Sequence, residues 1–152
     1  SRLLDQSGHT RIAIENIDAL LATKPHYARA LKLLAEILSK SDDLDRLIAT
    51  YQQLLVIEPG DYESMLKLAL TYTRANDIAM ARSTLETLLA EKSDHIRARY
   101  LLAENFYTDG LYPQSLLELK KLLKLDASHA EARLLKEKIL LKNEESNEAA
   151  HS

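Results

Sequence analysis

Pairs of consecutive leucines recur along the chain at one fixed interval. An interval between about 20 and 50 residues is typical of repeat proteins, in which one unit is too small to bury its apolar face without a neighbour. The interval therefore predicts a stack of similar units, or blocks. The four equally spaced pairs are Leu20-Leu21, Leu54-Leu55, Leu88-Leu89 and Leu122-Leu123.

The composition favours helices as the elements of these units. The chain has only 3 Gly and 3 Pro among its 152 residues, and both residue types interrupt helices and strands alike. Its aromatic content of 5% argues further against strands, in which aromatic side chains are enriched. We therefore predict an all-α fold.

Each block begins with the pattern of an amphipathic helix. A leucine is followed by an alanine, and a large side chain comes three residues later, as in Leu34, Ala35 and Leu38. The next two blocks have Tyr72 and Phe106 as the large residue. These spacings lie on one helix face, where the alanine allows a neighbouring helix to approach closely.

A turn and a second helix complete each block. The residues that follow the first helix tolerate a left-handed backbone, which predicts a tight turn at the same place in every block. The leucine pair then closes the buried face of the second helix. The predicted turn residues are Gly8, Asp42, Asn76 and Gly110.

This pattern resembles the tetratricopeptide repeat, whose units have about 34 residues. The shared features are two helices per block, Leu-Ala and a large residue in the first helix, and a closing proline, here Pro25 and Pro59. The resemblance covers about residues 1–142 and implies a right-handed α-solenoid of antiparallel helix pairs. The chain departs from the pattern at Arg99, where the other complete blocks have Leu or Met. We expect looser helix packing there.

The 34-residue frame defines one domain over residues 1–142 and a tail over 143–152, which is polar, lacks apolar periodicity and is predicted to be disordered. The first block is expected to consist of the end of one helix, a turn at Gly8 and a second helix from about Thr10 to Ala22. This start within a repeat suggests a piece of a longer protein. The expected parts are a partial repeat at 1–27, full repeats at 28–61, 62–95 and 96–129, and a capping helix at 130–142.

No catalytic or metal-binding motif stands out in the sequence, so we expect neither an enzyme nor a cofactor. His26, His95 and His129 are expected in the turns between blocks and His9 in the turn of the first block, and histidines a whole repeat apart are too distant to share one ion. The acidic cluster from Asp42 to Asp45 fits helix capping better than calcium binding. A net charge of -3 argues against nucleic acid as a partner. No apolar run is long enough for membrane insertion. The chain has no Cys, which fits cytoplasm and periplasm equally and leaves the localisation unknown.

The resemblance implies that the first helices line a concave groove and that their side chains not needed for repeat packing contact a partner. For Leu66 and Leu70 the alternative is partial burial against neighbouring helices. Lys32 and Arg97 match two positions of the carboxylate clamp of some tetratricopeptide proteins, but Leu101 does not match it. The candidate partner-binding residues are Arg29, Lys32, Leu66, Lys67, Leu70, Arg97, Tyr100, Glu104 and Tyr107.

The cations among these residues predict a groove with one positive end, which favours an acidic or carboxylate-bearing ligand. Our main hypothesis is a non-catalytic scaffold that binds a peptide or helix of another protein. The alternative is an assembly module that associates through its N-terminal edge, with a homodimer formed through residues 1–27, because Ile12 and Leu20 lack most of their packing partners. An enzyme and an RNA-binding solenoid rank lower, the latter because Glu36, Glu63 and Glu104 oppose a basic groove.

Overall fold

The computed structural model describes residues 2–151 of the chain, and side chains from residue 8 to residue 148. In this part of the chain it shows eight helices and no strand, so the all-α prediction is confirmed. None of these helices is long and apolar enough to cross a membrane. The helices are α1 (Arg2–Thr23), α2 (Ala28–Leu38), α3 (Leu44–Ile57), α4 (Tyr62–Arg74), α5 (Ile78–Glu91), α6 (Ile96–Thr108), α7 (Tyr112–Leu125) and α8 (Ala130–His151).

The helices form two compact units, residues 1–77 and residues 78–152. In the first unit α2 packs against α1 and α3, and α3 packs against α4. Its core contains Leu31, Leu47 and Leu54, each at most 1% exposed. Burial of one such side chain stabilises a fold by about 1.5–3 kcal/mol, so the apolar column of each helix holds the pairs together.

The second unit is organised around α6, which contacts α5, α7 and α8. Ala103 of α6, Leu119 and Leu122 of α7, and Ile139 of α8 are all fully buried in one cluster. The hydroxyl of Ser115 donates a hydrogen bond to the carbonyl oxygen of Ala103 at 2.7 Å, which satisfies a buried polar group between α6 and α7.

The predicted left-handed turns occur in two of the four blocks. Asn76 has a φ of 60° and Gly110 a φ of 75°, and they are the described residues with positive φ. The amide of the next residue, Asp77 or Leu111, donates to a carbonyl five residues earlier at 2.8 Å, which is the Schellman arrangement. At Asp42 the chain leaves α2 through a longer turn, and Asp43 caps α3 by accepting from the amide of Arg46.

The predicted turn at Gly8 does not form, because α1 is one continuous helix from Arg2 to Thr23. Glycine permits a left-handed turn but does not impose one. Once the backbone around such a glycine is helical on both sides, the helix continues through it at a cost of only about 1 kcal/mol relative to alanine.

The C-terminal helix also differs from the expectation. Residues 143–152 were predicted to be disordered, but α8 continues to His151. Once a helix is anchored by packing, each further residue extends it without a new nucleation cost, and Glu and Ala are good helix formers. The side chains from Asn143 to Glu148 are exposed, so this extension contributes no core.

Arg99 does not loosen the packing as expected. It is 8% exposed, and its Nη1 donates to Oε2 of Glu118 on α7 at 2.6 Å. Its Nη2 donates to the carbonyl oxygen of Ser93 at 2.5 Å. Its Nε is also buried but forms no hydrogen bond, and in the described part of the chain it is the one buried side-chain polar atom of which this is true. A buried ion pair therefore replaces an apolar contact in this block.

Candidate binding grooves

The first unit carries a groove of about 530 Å³. Side chains of α2 and α4 line its sides, and α3 contributes Leu47, Tyr51 and Leu54, which are each at most 5% exposed and form its floor. The groove brings together three of the candidate residues, Lys32, Lys67 and Leu70. Glu36, Ser39 and Glu63 also line it.

The two lysines of this groove are already paired with carboxylates. Nζ of Lys32 lies 3.0 Å from Oε2 of Glu58 and 3.8 Å from Oδ2 of Asp61. The hydrogen bond and the charge of Glu58 raise the pKa of Lys32. Nζ of Lys67 lies 3.6 Å from Oε1 of Glu63. The charges of two of the cations that predicted a positive end, Lys32 and Lys67, are therefore offset within the protein.

Asp61 also has a structural task at this end of the groove. It caps α4 by accepting from the amide of Ser64 at 3.1 Å, and the Ser64 hydroxyl donates to its other oxygen at 2.7 Å. Burial alone would raise the pKa of Asp61, but these hydrogen bonds and the nearby lysines lower it. The carboxylate stays ionised and holds Lys32 in place.

Arg74 and Tyr51 also line this groove, although the sequence did not indicate either as a candidate binding residue. Arg74, in the last turn of α4, donates from Nη1 to the carbonyl oxygen of Ser39 at 3.1 Å and from Nη2 to that of Ser41 at 3.2 Å. Tyr51 lies in the groove floor, where burial raises its pKa and the charge of Arg74 opposes the rise. The sequence feature that could have identified Tyr51 is its phenol, because the equivalent positions of the other blocks hold Ile or Leu.

Arg29 and Leu66 stand apart from this groove. Arg29 is exposed on α2 but does not line it. Leu66 is only 8% exposed, so the structure favours the packing interpretation for this residue, whereas Leu70 is half-buried and does line the groove. Because Leu66 and Leu70 are one turn apart, the sequence pattern alone did not separate them.

The second unit carries a smaller groove of about 260 Å³ between α6 and α8. It brings together Tyr100, Glu104 and Tyr107, while Arg97 is exposed outside it. Burial, followed by the charges of Glu104 and Glu131, raises the pKa of Tyr100 to about 12. This groove is therefore aromatic and acidic.

Helix α8 supplies half of the residues that line this second groove, whereas the sequence predicted only a capping helix there. Leu134 is 60% exposed and lines the groove with Glu131 and Lys138. Leu134 and Lys138 stand one repeat length after Tyr100 and Glu104, so the repeat frame could have identified them. Among side chains 8–148 no group of three or more His, Asp or Glu could hold a metal ion.

The sequence matches the family model of the tetratricopeptide repeat over residues 1–62 and 66–130. No curated protein matches the chain.

Solved structures share the fold at low sequence identity. MamA from Desulfovibrio magneticus RS-1 is 15% identical, with a TM-score of 0.76 over 99% of this chain and 85% of the MamA chain. TTC0263, a thermophilic protein of Thermus thermophilus, is 22% identical, with a TM-score of 0.65 over 92% and 77% of the two chains. The first repeat domain of Spaghetti (RPAP3), bound to the HSP90 peptide SRMEEVD, is 19% identical, with a TM-score of 0.69 over 76% and 91%.

Proposed function

Because the chain belongs to the tetratricopeptide repeat family, we propose that it is a non-catalytic interaction protein that binds a peptide or helical segment of a partner in its grooves. The groove of the first unit carries this proposal. Its volume of about 530 Å³ is of the size that accommodates a few side chains of a ligand. The RPAP3 domain, which has a similar fold, holds a peptide, and this supports the same use here.

The chemistry of the groove suits a mixed segment better than a strongly acidic one. Lys32 and Lys67 are neutralised by carboxylates, and half-buried Leu70 offers apolar contact. An approaching carboxylate must compete with Glu58 and Glu63 for the two lysines, so the groove favours a segment with few acids over a strongly acidic one. In the second unit, Tyr100 and Tyr107 provide rigid aromatic surface of the kind that often anchors a partner.

A displayed library of random peptides, selected on the protein, tests this proposal. The dissociation constants of the retained peptides are then measured by calorimetry for the protein and for two matched variants. Lys67→Glu changes the groove, whereas Lys120→Glu makes the same change on an exposed residue outside both grooves. We expect Lys67→Glu to weaken binding roughly tenfold, which corresponds to about 1.4 kcal/mol, and Lys120→Glu to leave it unchanged.

Two results would count against groove binding. One is a library that yields no retained peptide. The other is a set of peptides that bind both variants equally well. Circular dichroism of each variant confirms that a loss of binding does not come from unfolding.

A further inference from the structure

Tyr51 is a largely buried side chain whose hydroxyl remains accessible from the first groove. It is 5% exposed and lines the floor of the first groove. Among side chains 8–148, no residue forms a hydrogen bond with this hydroxyl, whereas the hydroxyl of Tyr72 accepts one from Nε2 of Gln52 at 2.9 Å. A tyrosine hydroxyl that is accessible from a groove and has no protein partner can donate its O–H to an acceptor group of a ligand.

Arg74 is the cation of this groove that is not neutralised by a carboxylate. Of the three cationic side chains that line it, Lys32 and Lys67 form ion pairs, while the hydrogen bonds of Arg74 with described residues go only to the carbonyl oxygens of Ser39 and Ser41. These two contacts fix the plane of the guanidinium group. A guanidinium has five N–H donors, so others remain for a ligand.

We propose that Tyr51 and Arg74 form a subsite that binds the side-chain carboxylate of an aspartate or glutamate in the partner segment. The phenol donates its O–H and the guanidinium donates an N–H to the carboxylate oxygens, which are acceptors only. This proposal rests on the groove being the binding surface. Its residues differ from the clamp positions considered from the sequence, Lys32 and Arg97.

Glu36 adds a restriction on the ligand. It lines the same groove and has no ion-pair partner in the described part of the chain. A run of several acids would meet repulsion from this carboxylate. The subsite therefore fits a single carboxylate with neutral or basic neighbours in the segment.

Small carboxylates test the subsite without a known partner. The probe is N-acetyl-glutamate N-methylamide, which carries a side-chain carboxylate and no terminal one. Its neutral counterpart is the glutamine derivative, and N-acetyl-alanine carries only a terminal carboxylate. NMR signals of the Tyr51 ring and of the Arg74 Nε–H group are followed during titration of the 152-residue protein.

We expect the glutamate probe to shift both signals in a saturable way, with a dissociation constant on the order of 1 mM, as suits so small a ligand. The other two probes should cause no saturable shift. Equal shifts with the glutamine derivative would overturn the proposal. Equally tight binding of N-acetyl-alanine would overturn the assignment to a side-chain carboxylate.

Matched variants give a second test. Tyr51→Phe removes one hydroxyl and keeps the ring, so the affinity for the probe should fall roughly tenfold, a factor of the size expected for a hydrogen bond to a charged group. Arg74→Gln should abolish saturable binding, and Arg74→Lys should retain part of it. Tyr72→Phe is the control, because Tyr72 does not line the groove.

The outcomes separate this inference from the proposed function. Library peptides that distinguish Lys67→Glu from the unmodified protein but bind Tyr51→Phe with unchanged affinity would reject the subsite and leave groove binding in place. Saturable binding of the glutamate probe, combined with a library that yields no peptide, would support the subsite and reject peptide binding.

Discussion

The buried pair of Arg99 and Glu118 permits a quantitative test of the fold. Both residues are 8% exposed, and they occupy positions separated by 19 residues. The same two positions hold Leu31 and Thr50 in the first complete block, and Met and Thr in the second. The perturbation is to replace Arg99 by Met and Glu118 by Thr, first singly and then together. The double variant restores the residue types of the preceding block.

The single changes should be costly and unequal. Glu118→Thr leaves the Arg99 charge buried with only the Ser93 carbonyl as a partner, and loss of one member of a buried pair costs about 3–5 kcal/mol. Arg99→Met leaves Glu118 with Lys121, whose Nζ lies 3.5 Å from Oε1 and whose side chain is 49% exposed. Because such a half-exposed pair stabilises by about 1 kcal/mol or less, we expect a somewhat smaller loss of about 2 kcal/mol.

The double variant should lie within about 1 kcal/mol of the unmodified protein, because an apolar contact can replace a buried ion pair at little cost. Thr at this position can satisfy its own hydroxyl, since Thr50 donates to the carbonyl oxygen of Arg46 at 2.8 Å. The measurement is urea unfolding followed by circular dichroism, which gives the free energy of unfolding of all four proteins. Additive losses, with a coupling energy below about 1 kcal/mol, would refute this reasoning.

Two further predictions concern local features. Asn76→Ala should lower the free energy of unfolding by about 1 kcal/mol, because the residue has a φ of 60° that alanine adopts only with strain. The control changes Asn76→Gly and Asp42→Ala, the latter at the equivalent position of the first complete block, should alter this free energy little. Equal losses for the two alanine variants in urea unfolding would contradict the role of φ. Because the pKa of Tyr100 is raised from 10.0 to about 12, the folded protein holds this proton more tightly than the unfolded chain, so stability should fall as the pH rises from about 10 to 12. Tyr100→Phe should lessen this fall in urea titrations at different pH, and an unchanged pH dependence would count against it.

The periodic columns of the sequence predicted the helix pairs because one packing environment recurs in each block. Leu54, Leu88 and Leu122 are all fully buried. Leu20 belongs to the same column but is 37% exposed, since burial depends on a neighbouring helix and not on the residue itself. A column in the sequence therefore predicts the burial of a side chain only where its packing partner is present.

The sequence predicted the location of the groove better than its chemistry. Lys32 and Lys67 do line it, but the acids that neutralise Lys32 lie at the end of α3 and before α4, outside the helical pattern from which the groove was predicted. Tyr51 occupies a core column, and only the structure shows that none of the described side chains forms a hydrogen bond with its hydroxyl. Charge pairing and hydrogen bonding require three-dimensional neighbours that a single helix face does not reveal.

Arg99 and Glu118 replace an apolar residue and a threonine of the other complete blocks, and this joint replacement limits which parts of the repeats can be exchanged for one another. Blocks that look interchangeable by their helices are not interchangeable half by half, because the first helix of this block contributes a buried cation and the second helix its anion. A crossover within the turn between α6 and α7 would separate the two charges and leave one buried without its partner. Recombination or design with this repeat must therefore transfer the helix pair as one unit, with junctions between blocks.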